Sequence, residues 1–176
     1  MKVLVTGAAG FLGRHLCHRL WLGKHDVFQT DITFADDPVL KNDGTYQWDI
    51  TQPCPHKLKL DAVIHLAAVA SPAMCDRNPA TAFGVNVQGT HNVLKLAVSA
   101  GAKRFVLAST AHVYGVSPKY LPSDERHPLW LQDTYTTTKI LGEKLCHLFY
   151  DNYGLSYCVL RLFNGFGPGQ QKGYFI

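Results

Sequence analysis

The first thirteen residues narrow the choice of fold more than any other stretch of this chain. Val3, Leu4 and Val5 form a short apolar run with β-branched members, which suits a strand covered on both faces of a parallel sheet. Gly7, Gly10 and Gly13 follow at once in the spacing G-x-x-G-x-x-G, one residue longer in its first gap than the usual dinucleotide fingerprint. From Phe11 to Leu22 the residues read as a helix with Leu12, Leu16 and Leu20 as its apolar stripe, closed by Gly23 in a left-handed conformation. A strand that turns into a helix through glycines directs backbone N–H groups and the positive end of the helix dipole at one point, where a pyrophosphate fits. The glycines alone also suit an ordinary strand-turn-helix with small residues for close packing.

Asp31 adds weight to the first alternative. It ends a second strand-like run, Asp26 to Thr30, roughly 20 residues past the loop, where a carboxylate can accept both ribose hydroxyls of an adenosine half. A 2′-phosphate would call for Arg or Lys just after that strand, and Asp31, Asp36 and Asp37 put negative charge there instead. NAD is therefore expected over NADP.

Strand-like and helix-like runs then alternate. Further strands are expected at Tyr46 to Trp48, Asp61 to Ala68, Arg104 to Ser109 and Ser156 to Phe163. Asn78 and Pro79 read as the cap and first residue of a helix running to about Ala100. Inside it Gly84 and Gly89 read either as tolerated surface glycines or as sites of close contact with a partner helix. A second long helix spans Thr134 to Tyr153, with Leu141, Leu145, Leu148 and Phe149 as its stripe and Gly154 as its stop. Val116 to Asp133 holds three prolines and reads as a long loop. The expected class is α/β, a doubly wound parallel sheet in one domain. In such a sheet ligands bind at the C-terminal ends of the strands, and the small Ala67 and Ala68 leave room there.

Composition removes several classes of function. Seventeen basic and thirteen acidic side chains give +4, scattered along the chain without a basic stripe, so no nucleic-acid partner is expected. No run approaches the roughly 18 apolar residues that span a bilayer, and the apolar run before Thr6 is too short for a secretory signal. Five cysteines, odd in number and never in a C-x-x-C pair, indicate neither a disulfide framework nor a zinc site, and reduced thiols in the cytoplasm are expected. No two of the nine histidines are spaced as H-x-H or H-x-x-x-H, and no metal is expected.

Tyr135 and Lys139 stand four apart on the last predicted helix, hence on one face. An ammonium beside a phenol lowers the phenol pKa, and bringing it from about 10 to near 7 takes roughly 4 kcal/mol, within reach of a close cation. Such a tyrosinate is a usable base toward a sugar or alcohol hydroxyl. Thr110, ending a neighbouring strand, can hold the same hydroxyl.

With these residues in place, the chain resembles the extended short-chain dehydrogenase/reductases, and within them the nucleotide-sugar epimerases and dehydratases. The resemblance covers TGAAGFLG (Thr6 to Gly13), Asp31, Asp49 with Ile50, HLAA (His65 to Ala68), Asn86, STAHVYG (Ser109 to Gly115), Tyr135 with Lys139, and RLFNGFGPGQ (Arg161 to Gln170). It implies a Rossmann domain over residues 1–176 that binds NAD through Gly7, Gly10, Phe11, Leu12, Gly13, Asp31, Leu66, Ala67, Ala68, Asn86, Tyr135 and Lys139. Asp49 and Ile50 would flank the adenine. Thr110, Tyr135 and Lys139 would form the catalytic set, and Ser109, Thr110 and Asn164 would meet a nucleoside-diphosphate sugar. It further implies a homodimer formed through the helices holding Asn86 and Tyr135, with Gly84 and Gly89 at the contact. Family members extend well over a hundred residues beyond the position of Gln170, into a substrate domain that this chain lacks. Dehydratases and decarboxylases of the family carry an acidic residue two places after the threonine, where this chain has His112. Epimerisation at C4 is the favoured reading. A non-catalytic NAD-binding module or truncated remnant, and a dehydratase or reductase of the same fold, are the alternatives.

Overall fold

The computed structural model describes residues 1–34 and 44–170, so the expectations for Asp36 and Asp37 lie outside the described residues. Six strands form one parallel sheet: β1 (Lys2–Thr6), β2 (Asp26–Asp31), β3 (Thr45–Gln47), β4 (Ala62–His65), β5 (Arg104–Thr110) and β6 (Ser156–Leu162). Their order is β3-β2-β1-β4-β5-β6. The chain winds outward from β1 to β3, crosses back, and winds outward again from β4 to β6. The direction reverses between β1 and β4, which makes that crevice the place where a ligand fits. Register puts Thr6 level with Thr30 of β2 and His65 of β4.

Helices cover both faces, which explains the unbroken apolar run at the start. Val3, Val5 and Val27 pack under α1 (Phe11–Leu22) with Ala8 and Cys17. Leu4, on the other face with Val63, Phe105 and Leu107, packs under α4 (Thr90–Ser99) and α5 (Thr134–Tyr153). Between β4 and α4 lie α2 (Pro72–Arg77), α3 (Pro79–Phe83) and a π-helical turn at Gly84–Gly89; a 3₁₀ turn, Ala111–Tyr114, follows β5.

Several local expectations are corrected. The helix expected from Asn78 to Ala100 is present but is not plain α: its backbone is right-handed helical throughout the junctions, with a π turn at Gly84–Gly89 between α3 and α4. Asn78 caps it, accepting from the Thr81 amide at 3.1 Å, and the π turn falls where Asn86 is drawn into the core. α2 was not anticipated; Ser71 caps it by accepting from the Met74 amide, and Pro72 begins it. Gly23 has φ −77°, and the left-handed residue after α1 is Lys24. Gly154 is left-handed and stops α5 as expected. α1 buries Gly13 and Cys17 while Leu12 is exposed, and α5 buries Ile140, Cys146 and Phe149 while Leu141 and Leu148 are exposed. The other members of the expected stripes hold: Leu16, Leu20 and Leu145 pack against the core from partly buried positions, and Phe149 is buried. Gly89 serves an internal contact: a Cβ there would lie 2.7 Å from Ile50 Cδ1, whereas nothing stands near Gly84.

Candidate active site

The turn from β1 to α1 has no room for side chains. Gly7 has φ +70°, and a Cβ on it would lie 2.6 Å from Ala67 N; one on Gly13 would strike the Gly7 carbonyl oxygen. Gly10 caps α1 with extended backbone and no side-chain acceptor, so the first amides of the helix are left for an anion. Asp31 sits beside this turn. Its carboxylate accepts from Ala9 N at 3.0 Å and Ile32 N at 2.8 Å. Burial pushes the Asp31 carboxyl above the usual range, and the amide bonds oppose the shift.

The loop after β6 folds back over the start of α1. His15 Nε2 donates to Pro168 O at 2.9 Å, and a Cβ on Gly167 would lie 3.5 Å from the Phe11 ring. Phe11 is half-buried and meets His15 edge to face. On the other side of the crevice, the backbone of Leu66 and Ala67 leaves β4 against Thr6, its amides donating to Thr6 O at 3.1 Å and Thr6 Oγ1 at 3.3 Å. Ala68 is half-buried in the same loop. After β3, Asp49 is exposed, with Oδ1 accepting from Thr51 N, and Ile50 is buried beneath Gly89.

A capping box fixes the start of α5. Asp133 accepts from Thr136 N at 2.7 Å, and the Thr136 hydroxyl closes the box with the Asp133 amide. Tyr135 and Lys139 follow one turn apart, each only 8% exposed. Burial lowers the Lys139 pKa to about 8, with the Glu143 carboxylate and Cys75 acting in the opposite direction. Among the described residues, no acceptor stands within hydrogen-bonding distance of this ammonium and no carboxylate pairs with it. A buried cation without a direct partner is costly, so the position fits a ligand hydroxyl. The His112 ring meets Tyr135 edge to face, centroids 6.1 Å apart. Thr110 Oγ1 accepts from His112 N at 3.2 Å, and its own hydrogen has no acceptor among the described residues.

The remaining candidates are differently placed. Ser109 donates to Glu143 Oε1 at 2.5 Å, and Glu143 is also held by Arg161 through Nε at 3.1 Å and Nη2 at 2.8 Å. Successive strand residues face opposite sides, so Ser109 points away from the site that Thr110 faces. Asn86 pairs with the Val69 backbone, accepting at 2.8 Å and donating at 3.1 Å, and its other amide hydrogen goes to Thr138 Oγ1 at 2.9 Å. Its donors are therefore committed within the protein. Asn164 is exposed in the loop after β6. Sequence reasoning gave no role to Glu143, Thr138, Thr6 or His65. Glu143 stands four residues past Lys139, a spacing that could have marked it.

The glycine turn, the open N-terminus of α1, the Asp31 carboxylate and the Lys139 ammonium, unpaired among the described residues, together fit a dinucleotide. Comparison with known proteins agrees with that geometry. The model of the NAD dependent epimerase/dehydratase family matches residues 3–175. UDP-glucuronic acid decarboxylase 6 of Arabidopsis thaliana is 34% identical over 96% of this chain and 52% of its own length. UDP-glucose 4-epimerase of Thermotoga maritima, solved with UDP-glucose, superposes with TM-score 0.89 and 31% identity over 99% of this chain and 59% of that one. The Thermus thermophilus UDP-glucose 4-epimerase, solved with NAD, gives TM-score 0.85 and 28% identity over 97% and 58%. The chain thus spans about half the length of these relatives.

Proposed function

Because the chain belongs to the NAD dependent epimerase/dehydratase family, we propose that it holds NAD across the β1/β4 crevice and carries the catalytic set of an enzyme that inverts C4 of a nucleoside-diphosphate sugar. The observation that carries this reading is the buried Lys139 ammonium, without a direct partner among the described residues and one turn from Tyr135, together with a Thr110 hydroxyl hydrogen that has no acceptor among them. Pyrophosphate oxygens would meet the amides of Phe11 and Leu12, the Gly10 amide being given to the Gly7 carbonyl at 3.1 Å; Asp31 would accept the adenosine ribose hydroxyls, and Lys139 would donate to the nicotinamide ribose. The loop at Leu66 to Ala68 would wall the crevice, and Asp49 would approach the adenine. Asn86 and Ile50 support the site from within the protein, by hydrogen bonding and by packing.

Bound NAD supplies the acceptor for the hydride leaving C4 and its return to the opposite face of the resulting ketone. Tyr135, as phenolate, takes the C4 hydroxyl proton while Thr110 donates a hydrogen bond to the same oxygen. When the ketone is reduced from its other face, Tyr135 gives that proton back to the oxygen on C4. No proton or electron pair is gained or lost over the cycle. Asn164 meets the sugar nucleotide, and Ser109 acts through Glu143 to steady the end of β5. The exposed Leu141 and Leu148, two turns apart on α5, support pairing of two copies.

A second reading rests on His112. Its imidazole meets the Tyr135 ring at the position where the family's dehydratases and decarboxylases carry a carboxylate, and as a general acid it would assist elimination. Incubating the complete polypeptide and NAD with a panel of UDP-sugars tests both. The C4 epimer, at unchanged product mass, is the expected outcome. A product lighter by water, lost on His112→Ala, would favour elimination, and no conversion of any sugar would overturn both readings.

A further inference from the structure

A continuous file of hydrogen bonds runs beneath the crevice and is not used by the chemistry above. It begins at the Ala67 amide, which donates to Thr6 Oγ1 at 3.3 Å. Thr6 Oγ1 stands 2.6 Å from His65 Nδ1, and His65 Nε2 stands 3.0 Å from Thr90 Oγ1. The Thr90 hydroxyl donates to the Asn86 carbonyl at 2.6 Å. From Asn86 the file continues through Nδ2 to Thr138 Oγ1, and from that hydroxyl to the Tyr135 carbonyl at 2.8 Å. All five side chains are buried, His65 to 1% exposure.

One fact sets the direction of each proton. A carbonyl oxygen cannot donate, so the Thr90 hydrogen goes to Asn86 O, and Thr90 Oγ1 accepts from His65 Nε2–H. Nδ1 is then bare and accepts the Thr6 hydroxyl hydrogen, leaving a Thr6 lone pair for the Ala67 amide. A proton on Nδ1 would strand the Thr6 hydrogen without an acceptor among the described residues. Burial keeps the ring neutral independently, lowering its pKa to about 3, with the Lys139 charge acting in the same direction. Such a file has one satisfied arrangement, and breaking a link leaves a buried group unpaired.

We propose that His65 is a positioning residue, a fixed neutral Nε2–H imidazole that ties the Gly7 turn to Asn86 and to the first turn of α5. The phosphate-binding loop and the Tyr135–Lys139 pair thereby keep one spacing. The effect on NAD rests on the cofactor reading above, but the coupling of the two segments does not. If the file served core stability alone, cutting it would lower the melting temperature without changing the loop in the folded chain.

Thr90→Val cuts the file away from the loop, and Thr90→Ser keeps the hydroxyl. Amide exchange and NAD calorimetry on the 176-residue chain, at a temperature where each variant is folded, read the consequence. With Thr90→Val, exchange at Ala9 and Ala67 is expected to speed up about tenfold relative to Leu107 in the core, and NAD binding to weaken about tenfold; Thr90→Ser stays within about threefold of the parent in both. Nitrogen NMR of the parent, which needs no variant, is expected to show His65 Nε2 protonated and Nδ1 bare. A proton on Nδ1 would overturn the proposal, as would a lower melting temperature with loop exchange unchanged. If the parent chain binds no NAD, the cofactor reading fails, and exchange with the ring spectrum alone decides the coupling.

Discussion

The C-terminal edge of the sheet has two ends built on different plans. Around β1 and β4, Thr6, His65, Thr90 and Asn86 are buried and joined by hydrogen bonds, and Gly7 and Gly13 stand where a Cβ would collide with backbone. Around β6, the sheet ends. Leu160, Leu162, Phe163 and Phe166 are exposed, and an open groove of about 640 Å³ runs between β6, α5 and the Ser123 to Leu129 loop. The first end already has the geometry to hold a dinucleotide. The second is an open surface groove, with Asp124, Lys144 and His147 among the polar side chains on its wall. The Glu143–Arg161 pair lies between them, tying α5 to β6, with Tyr114 accepting from Arg161 at 3.2 Å.

If holding the cofactor and doing the chemistry are separable in this way, substitutions should divide accordingly. The largest effect is expected from Tyr135→Phe in the complete polypeptide: turnover falls about 10²–10⁴-fold, while NAD affinity changes less than about threefold. Steady-state kinetics beside calorimetry checks this, and equal losses in both would dissolve the division. Next come paired glycines, one at each end. Gly13→Ala forces a Cβ into fixed backbone and should cost about 1–3 kcal/mol, whereas Gly165→Ala, with nothing within 4 Å, should stay within about 0.5 kcal/mol in urea denaturation.

Two pH effects follow at the buried end. Unfolded, His65 takes a proton below its ordinary pKa of 6.5; folded, it does so only near 3. Between those values the unfolded state binds more protons, so stability falls as pH falls. Lowering the pH from 7 to 5 should cost about 2 kcal/mol through this group, and His65→Gln should remove that part of the pH dependence. Lys139 loses its proton through about pH 8, so NAD affinity should weaken by roughly tenfold between pH 7 and pH 9. Lys139→Arg, which stays charged, should flatten the decline. A parent profile that is already flat would remove Lys139 from the cofactor site.

Much of the buried end was legible in the sequence because its constraints are local. Gly7, Gly10 and Gly13 sit within one turn, Tyr135 and Lys139 within one turn of helix, and Asp31 at a strand end. What was missed depends on long-range pairing. The His65 file joins residues 59, 25 and 52 positions apart, and no spacing rule connects them. The Asn86 turn looked like plain helix, because a π turn carries no periodic signature. The apolar stripes of α1 and α5 were right at Leu16, Leu20, Leu145 and Phe149, which pack against the core, and wrong at Leu12, Leu141 and Leu148, which are exposed while Gly13, Cys17, Ile140 and Cys146 are buried. At the β6 end, Asn164 was named through a motif, and it is exposed with no hydrogen-bond partner among the described residues.

Calorimetric titration of the 176-residue chain with NAD and, separately, with NADP tests the central claim most directly, because it asks whether this chain alone builds the cofactor site. One NAD bound per chain, at least about tenfold more tightly than NADP as the Asp31 carboxylate requires, is the predicted result. No binding of either dinucleotide, or a preference for NADP, would contradict it.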